Sequence, residues 1–274
     1  MSKITDLLLL YDQIETCIVI NNSKIMNSKI PENPSSVIAK LKKLIDLVLE
    51  NKDFDFLLSK NVFQIFERLF VVFNKSDKDI LVSLLAFSNL IISNLPNVQY
   101  LNLIIGTSGF VSFFGLEFNF LENEESMDYF VNFSKSLILK INNDTPADNL
   151  YPIFNKLIEN HNFKDNLTQT TIKNIFLSCL SIENKSVCLI METFSILMLF
   201  VNIARRIVDN IKQWDLLIIG EKEYLVKESI DYVIENLQYL EEAFVATSNE
   251  LIKNFIKNLI LIFIVIQVII PILG

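Results

Sequence analysis

Glycine and proline are scarce in this chain, at 5 and 6 of 274 residues, while 51% of the sequence is hydrophobic. Sheets joined by tight turns need glycine for positive φ and proline for fixed corners, and phosphate-cradling loops need glycine for close backbone approach. The scarcity argues against both. Long helices remain, and apolar residues do recur three or four positions apart along most of the chain.

Within residues 4–20, Leu7, Leu10, Ile14 and Cys17 share one face and predict an amphipathic helix. A polar stretch holding Pro31 follows. Asn33 then reads as an N-cap with Pro34 at the first helical position. Val37, Leu41, Leu44, Ile45 and Val48 form the next stripe, and Lys40, Lys42, Lys43 and Asp46 keep its other side wet. Turn-bounded runs predict helices over 62–73, 77–93, 98–105, 110–117 and 124–141, with Asp77 as a cap and the 106–109 turn as a separator. Residues 142–146 are the strongest polar break. Beyond them helices are expected over 148–159, 168–181 and 186–214, then a long pair over 221–270 with Gly220 as the preceding stop. Strict alternation is rare, so strands lose to helices almost everywhere. The expected fold is all-α, an irregular armadillo- or HEAT-like α-solenoid of ten or more helices without a fixed sequence repeat. The expected organisation is an N-terminal helix and linker over 1–33, then one helical domain over 34–274.

The 24 Lys and Arg against 32 Asp and Glu give a net charge of −8, the wrong sign for gripping a phosphate backbone. Nucleic acid is not an expected partner. Cys17, Cys179 and Cys188 lack metal or redox spacing and suit buried free thiols in a reducing compartment. Asp6, Asp12 and Glu15 interrupt the first apolar run, which is unlike a cleaved secretory signal. The single histidine, His161, lies in a polar stretch and is expected in an exposed loop; a multi-histidine metal site is excluded. Gly106-Thr107-Ser108-Gly109 lacks the Gly-Lys-Ser/Thr ending of a phosphate loop and reads as a helix–helix turn. No catalytic, cofactor-binding or metal-binding residues are assigned, and neither an enzyme nor a small-molecule substrate is expected.

Two surface features have both a structural and a functional reading. Glu122, Glu124, Glu125 and Asp128 gather at a helix start, where they complement the helix dipole or form an acidic docking patch for a basic partner. Lys40, Lys42 and Lys43 are fewer than the roughly four to eight cations of a lipid-binding cluster and read as a solvated face. Residues 259–273 contain a single polar residue, Gln267, but fall short of the roughly 20 that span a bilayer, and Pro271 shortens them further. A buried core helix is expected there, with a tail anchor as the alternative.

Several stretches carry a family resemblance. Asn51-Lys-Asp-Phe-Asp-Phe-Leu-Leu-Ser-Lys-Asn-Val62 has an acidic turn, paired phenylalanines and a Lys-Asn before the next helix. Glu124-Glu-Ser-Met-Asp-Tyr-Phe-Val-Asn-Phe-Ser-Lys-Ser-Leu-Ile-Leu-Lys-Ile-Asn142 repeats a pattern of Glu-Glu, Met, Tyr and Leu-Leu-Lys-Leu-Asn character. Tyr151-Pro152-Ile153 stands where that family has Phe-Pro-Leu. These stretches resemble the FPL domain, the N-terminal module of the C-type lectin domain-containing family 16 member A and endosomal-maturation-defective proteins. Weaker matches extend the resemblance over roughly 34–273. It implies a non-enzymatic armadillo-like scaffold with no cofactor, peripheral to endosomal, lysosomal or Golgi membranes on their cytosolic face. Its partners would be proteins of endosome–lysosome trafficking, autophagosome maturation and mitophagy. Tyr151, Pro152 and Ile153 are a signature whose structural reading is helix entry, since proline suits a first helical turn.

Overall fold

The computed structural model describes residues 3–23, 33–73, 79–121, 123–219 and 223–269, and among them the chain is helical with no strand. Pro31, Asp77, Glu122, Gly220 and Pro271, each singled out in the sequence, lie outside the described residues. The chain divides into two compact units, Met1–Ile141 with Thr145–Phe154, and Asn142–Asp144 with Asn155–Gly274.

The first unit begins with α1 (Lys3–Ser23), α2 (Pro34–Asn51), α3 (Phe54–Ser59) and α4 (Val62–Phe73). It continues through α5 (Ile80–Asn94), α6 (Val98–Ile105), α7 (Ser108–Gly115) and α8 (Glu124–Ile138) to a 3₁₀ turn, Ala147–Leu150. Short polar side chains start these helices by satisfying N–H groups that have no partner within the helix. Asn33 accepts from Ser35 N at 3.1 Å, Asn97 from Tyr100 N at 3.1 Å, Thr107 from Phe110 N at 3.3 Å and Asn123 from Ser126 N at 3.3 Å. Lys52 ends α2 at φ 55°, in the left-handed region, and its N–H returns to Leu49 O at 3.2 Å.

The expected α2 stripe, Val37, Leu41, Leu44, Ile45 and Val48, is buried in full. Helices three apart pack together, α1 on α4 and α4 on α7, α2 on α5 and α5 on α8, and α3 on α6, while neighbours in the chain such as α1 and α2 or α4 and α5 pack on each other as well. Arg68 Nη1 of α4 sits 2.7 Å from both carboxylate oxygens of Glu15, tying α4 to α1.

Phenylalanine fills the space between these helices. Phe63 and Phe66 of α4 meet Phe110, Phe113 and Phe114 of α7 with ring centroids 5.2 to 6.3 Å apart. Phe114 stacks on Phe133 of α8 at 4.6 Å and 11°. Phe118, after α7, touches Phe70, Phe113 and Phe130 at 5.5, 5.5 and 6.3 Å. The tight seam between α4 and α7 needs Gly109, where a Cβ would stand 2.4 Å from both Gln64 N and Asn61 Oδ1. The 106–109 segment is thus a helix–helix turn, as its sequence indicates.

The second unit holds α10 (Asn166–Leu180), α11 (Lys185–Met191), α12 (Phe194–Ile219), α13 (Glu223–Ala246) and α14 (Glu250–Leu259). α9 (Tyr151–Glu159) begins in the first unit and ends in the second. A π-helical stretch, Ile260–Ile269, continues α14. α12 packs on α13 and α14, α10 packs on α13, and the π-helical stretch lies against α12. Asn184, buried, caps α11 through Val187 N at 3.0 Å and donates to the carbonyls of Asn142 and Asn143 at 2.7 and 3.2 Å, which anchors the polar break. Trp214 Nε1 donates to Ser229 Oγ at 2.9 Å, and Ser229 to Asn210 Oδ1 at 3.0 Å, linking α12 and α13.

Two expectations are refined and one helix, α3, is new. The helix expected over 186–214 is two, α11 and α12, because Thr193 opens a new helix and its carbonyl accepts from Ile196 N and Leu197 N, both at 3.1 Å. The six-residue α3 is too short to show a period. The pair expected over 221–270 breaks at Thr247-Ser248-Asn249, where Asn249 caps α14 by accepting from Leu251 N and Ile252 N at 2.9 and 3.2 Å.

Candidate interaction surfaces

In the signature Tyr151-Pro152-Ile153, Ile153 is 1% exposed and Tyr151 42%. Pro152 falls in the first turn of α9, where its missing N–H leaves no helical bond unmade. One residue of the three therefore serves the core and one faces solvent. In the acidic group, Glu124, Glu125 and Asp128 are all exposed in the first turns of α8. Their charge complements the helix N-terminus, where Asn123 Oδ1 caps Ser126 N at 3.3 Å and Ser126 Oγ donates to Asn123 O at 2.6 Å.

The three lysines of α2 do not share one solvated face. Lys42 and Lys43 are exposed, whereas Lys40 is half-buried with Nζ 3.5 Å from Cys17 Sγ of α1. The thiols also divide. Cys17 and Cys179 are buried, but Cys188 is half-buried, correcting the expectation of three buried thiols. Burial pushes the Cys179 and Cys188 thiols up, with Glu192 adding to the effect at Cys188.

His161 is corrected as well. It lies in the loop after α9 but is half-buried, with Nδ1 2.6 Å from Ile158 O. Burial pulls its pKa below the ordinary 6.5; the Ile158 carbonyl opposes this, while Arg206 of α12 and Lys173 of α10 add to it. Sequence reading gave no role to Lys173 or Arg206. The available signal was a basic residue beside an apolar stripe, Lys173 next to Ile172 and Arg206 next to Ile207.

The 259–273 expectation also changes. α14 runs unbroken into the π-helical stretch, so Glu250–Val268 forms a 19-residue run of mean hydropathy 1.9, long and apolar enough to cross a membrane. It is also less buried than a core helix, with 28% of its apolar window inside the fold. Ile252, Ile256, Leu259, Ile264 and Val268 are buried, while Leu251, Leu261, Ile262 and Ile266 face outward. On α13, Tyr224, Ile234 and Val245 are exposed too. Apolar surface of this kind marks places where another molecule can dock.

A family model named FPL, described as an uncharacterised conserved protein, matches residues 38–180. Protein CLEC16A of Mus musculus and of Homo sapiens are each 22% identical to this chain over 223 residues, covering 76% of it and 21% of their own length. The Protein CLEC16A homolog of Drosophila melanogaster is 25% identical over 139 residues, covering 48% of this chain and 13% of its own length. The chain therefore spans about a fifth of the mouse and human relatives. No solved structure matches.

Proposed function

This chain belongs to the FPL family, and from that membership we propose that it is a non-enzymatic helical adaptor in endosome–lysosome trafficking and autophagy. It works by protein–protein contact at the cytosolic face of endosomal, lysosomal or Golgi membranes, contributing to autophagosome maturation and mitophagy. The observation that carries this reading is the match over 38–180 together with the CLEC16A relatives.

The architecture we propose is an armadillo-type stack. Supporting it is the recurrence of packing every third helix in the first unit, the pattern that arises when three-helix repeats are laid one on the next. Each added repeat widens a continuous binding surface without a catalytic centre. The exposed Glu124, Glu125 and Asp128 would serve as a docking patch for a basic partner segment. Affinity capture of the tagged chain from growing and starved cells tests the reading. Reproducible recovery of vesicle-tethering, small-GTPase or autophagy components, lost in an E124K/E125K/D128K variant, supports it; capture of none of these classes overturns it.

A second reading has its own observation. The 19-residue run Glu250–Val268 has the length and hydropathy of a span, which suits a chain tail-anchored through 259–273. Alkaline carbonate extraction separates the two, because an anchored chain stays in the membrane pellet and a peripheral adaptor is released.

A further inference from the structure

We propose that the cleft formed by α10, α12, α13 and the loop after α9 is an oxyanion site that takes a phosphate group. The inference stands on the second unit alone and is independent of the adaptor reading.

The cleft has a volume of about 370 Å³ counting its open mouth, of which about 20 Å³ admits the centre of a water molecule. Such a floor seats one or two ligand atoms and leaves the rest of the ligand at the mouth. Two cations line it, Lys173 from α10 and Arg206 from α12, together with the ionisable imidazole of His161 from the loop. Among the described residues that line it there is no carboxylate. In a chain of net charge −8 this is a local reversal of sign.

Lys173 is held in place. Lys173 Nζ donates to Asn236 Oδ1 at 2.8 Å and lies 5.5 Å from the Tyr239 ring centroid. Asn236 is 1% exposed and is itself fixed by donating to Tyr232 O at 2.7 Å. With His161 Nδ1 donating to Ile158 O, Nε2 can donate to a phosphate oxygen once the ring is protonated. Glu235 of α13 is the carboxylate whose field reaches Lys173, but it is exposed and does not line the cleft.

The ligand class follows from charge and size. Burial holds both His161 and Lys173 below their ordinary pKa values; Arg206 and Lys173 also repel a charged imidazole, whereas at Lys173 the field of Glu235 opposes burial and exceeds the repulsion from Arg206. An anion relieves that repulsion. A carboxylate brings one negative charge, whereas a phosphate monoester brings about −1.5 to −2 and three strong acceptor oxygens. Arginine adds the planar fork that grips such oxygens in pairs. A phosphate can place one or two oxygens in that space and keep the rest of its bulk at the open mouth. Inorganic phosphate and a phosphorylated lipid headgroup present the same chemistry here.

His161 is the single histidine of the chain, so its ring resonances report the site without overlap. Titrating them by NMR in the full chain, with sodium phosphate, inositol trisphosphate or sodium chloride at matched ionic strength, gives the test. Either phosphate probe should raise the His161 midpoint by roughly half a unit over chloride. R206Q changes an exposed residue and should weaken the effect roughly tenfold in probe concentration. K173Q should abolish it. Flotation with phosphatidylcholine vesicles, with and without phosphatidylinositol phosphate, then identifies the source. Wild-type flotation that needs the phosphorylated lipid and is lost in R206Q supports a headgroup, and a response to soluble probes without flotation supports free phosphate. An unmoved His161 midpoint with both soluble probes overturns the proposal, as does a shift of undiminished affinity in R206Q.

Discussion

The two units solve the same packing problem with different materials. In the first, α4, α7 and α8 close on one another through phenylalanine rings, with Phe114 in ring contact with Phe63, Phe110, Phe113, Phe118 and Phe133. In the second, long helices pack mostly through aliphatic side chains such as Ile172, Leu199, Ile203, Ile207 and Leu240, with Phe200 stacked on Tyr239 at 6.3 Å. The first unit puts most of its phenylalanine rings inside. The second leaves apolar residues on α13 and α14 outside and cations in a cleft. Rings locked edge to face fix a single arrangement; both units expose apolar residues, but in the second they are concentrated on α13 and the run Glu250–Val268, where they can meet other molecules.

The sharpest way to break this contrast is to remove a ring from each unit. Phe114→Ala should cost about 3–5 kcal/mol in denaturant unfolding, and Phe200→Ala, with fewer ring neighbours, should cost less. Equal losses would show that the aromatic network adds nothing beyond buried area. Next comes the helix seam: Gly109→Ala should destabilise by about 1–3 kcal/mol, because the backbone of Gln64 stands where the methyl group would go. A neutral Gly109→Ala variant would mean that α7 is free to shift away from α4.

In the second unit, Asn184→Ala removes a cap and two bonds to the 142–143 carbonyls, and should lower stability by about 1–2 kcal/mol. The smallest expected effect is a pH dependence. His161 has a folded-state pKa below its unfolded 6.5, so the unfolded chain binds the proton first as pH falls. His161 should therefore take stability away as pH drops below 6.5 through the folded value. Thermal melts of wild type and His161→Gln from pH 7.5 to 5 should diverge in that window, with the variant losing less.

Most helices were legible because their signals are local. Asn33 and Pro34 mark a start within two residues, and the α2 stripe lies within a dozen, so no tertiary knowledge is needed to read them. The 62–73 and 98–105 predictions coincide with α4 and α6 for the same reason. α3 and the break at Thr193 were not legible, since one is shorter than two helical turns and the other interrupts a continuous apolar pattern. The burial of His161 was missed because its neighbours Lys173 and Arg206 come from separate helices further along the chain, α10 and α12. The outward face of Glu250–Val268 was missed because composition reports how apolar a helix is and not how much of it finds a partner.

The adaptor role itself is most directly tested by autophagic flux. In cells lacking this protein, delivery of cargo to degradative lysosomes should slow, and re-expressing the chain should restore it. Flux that is normal in the deletion strain, under both fed and starved conditions, would contradict the account.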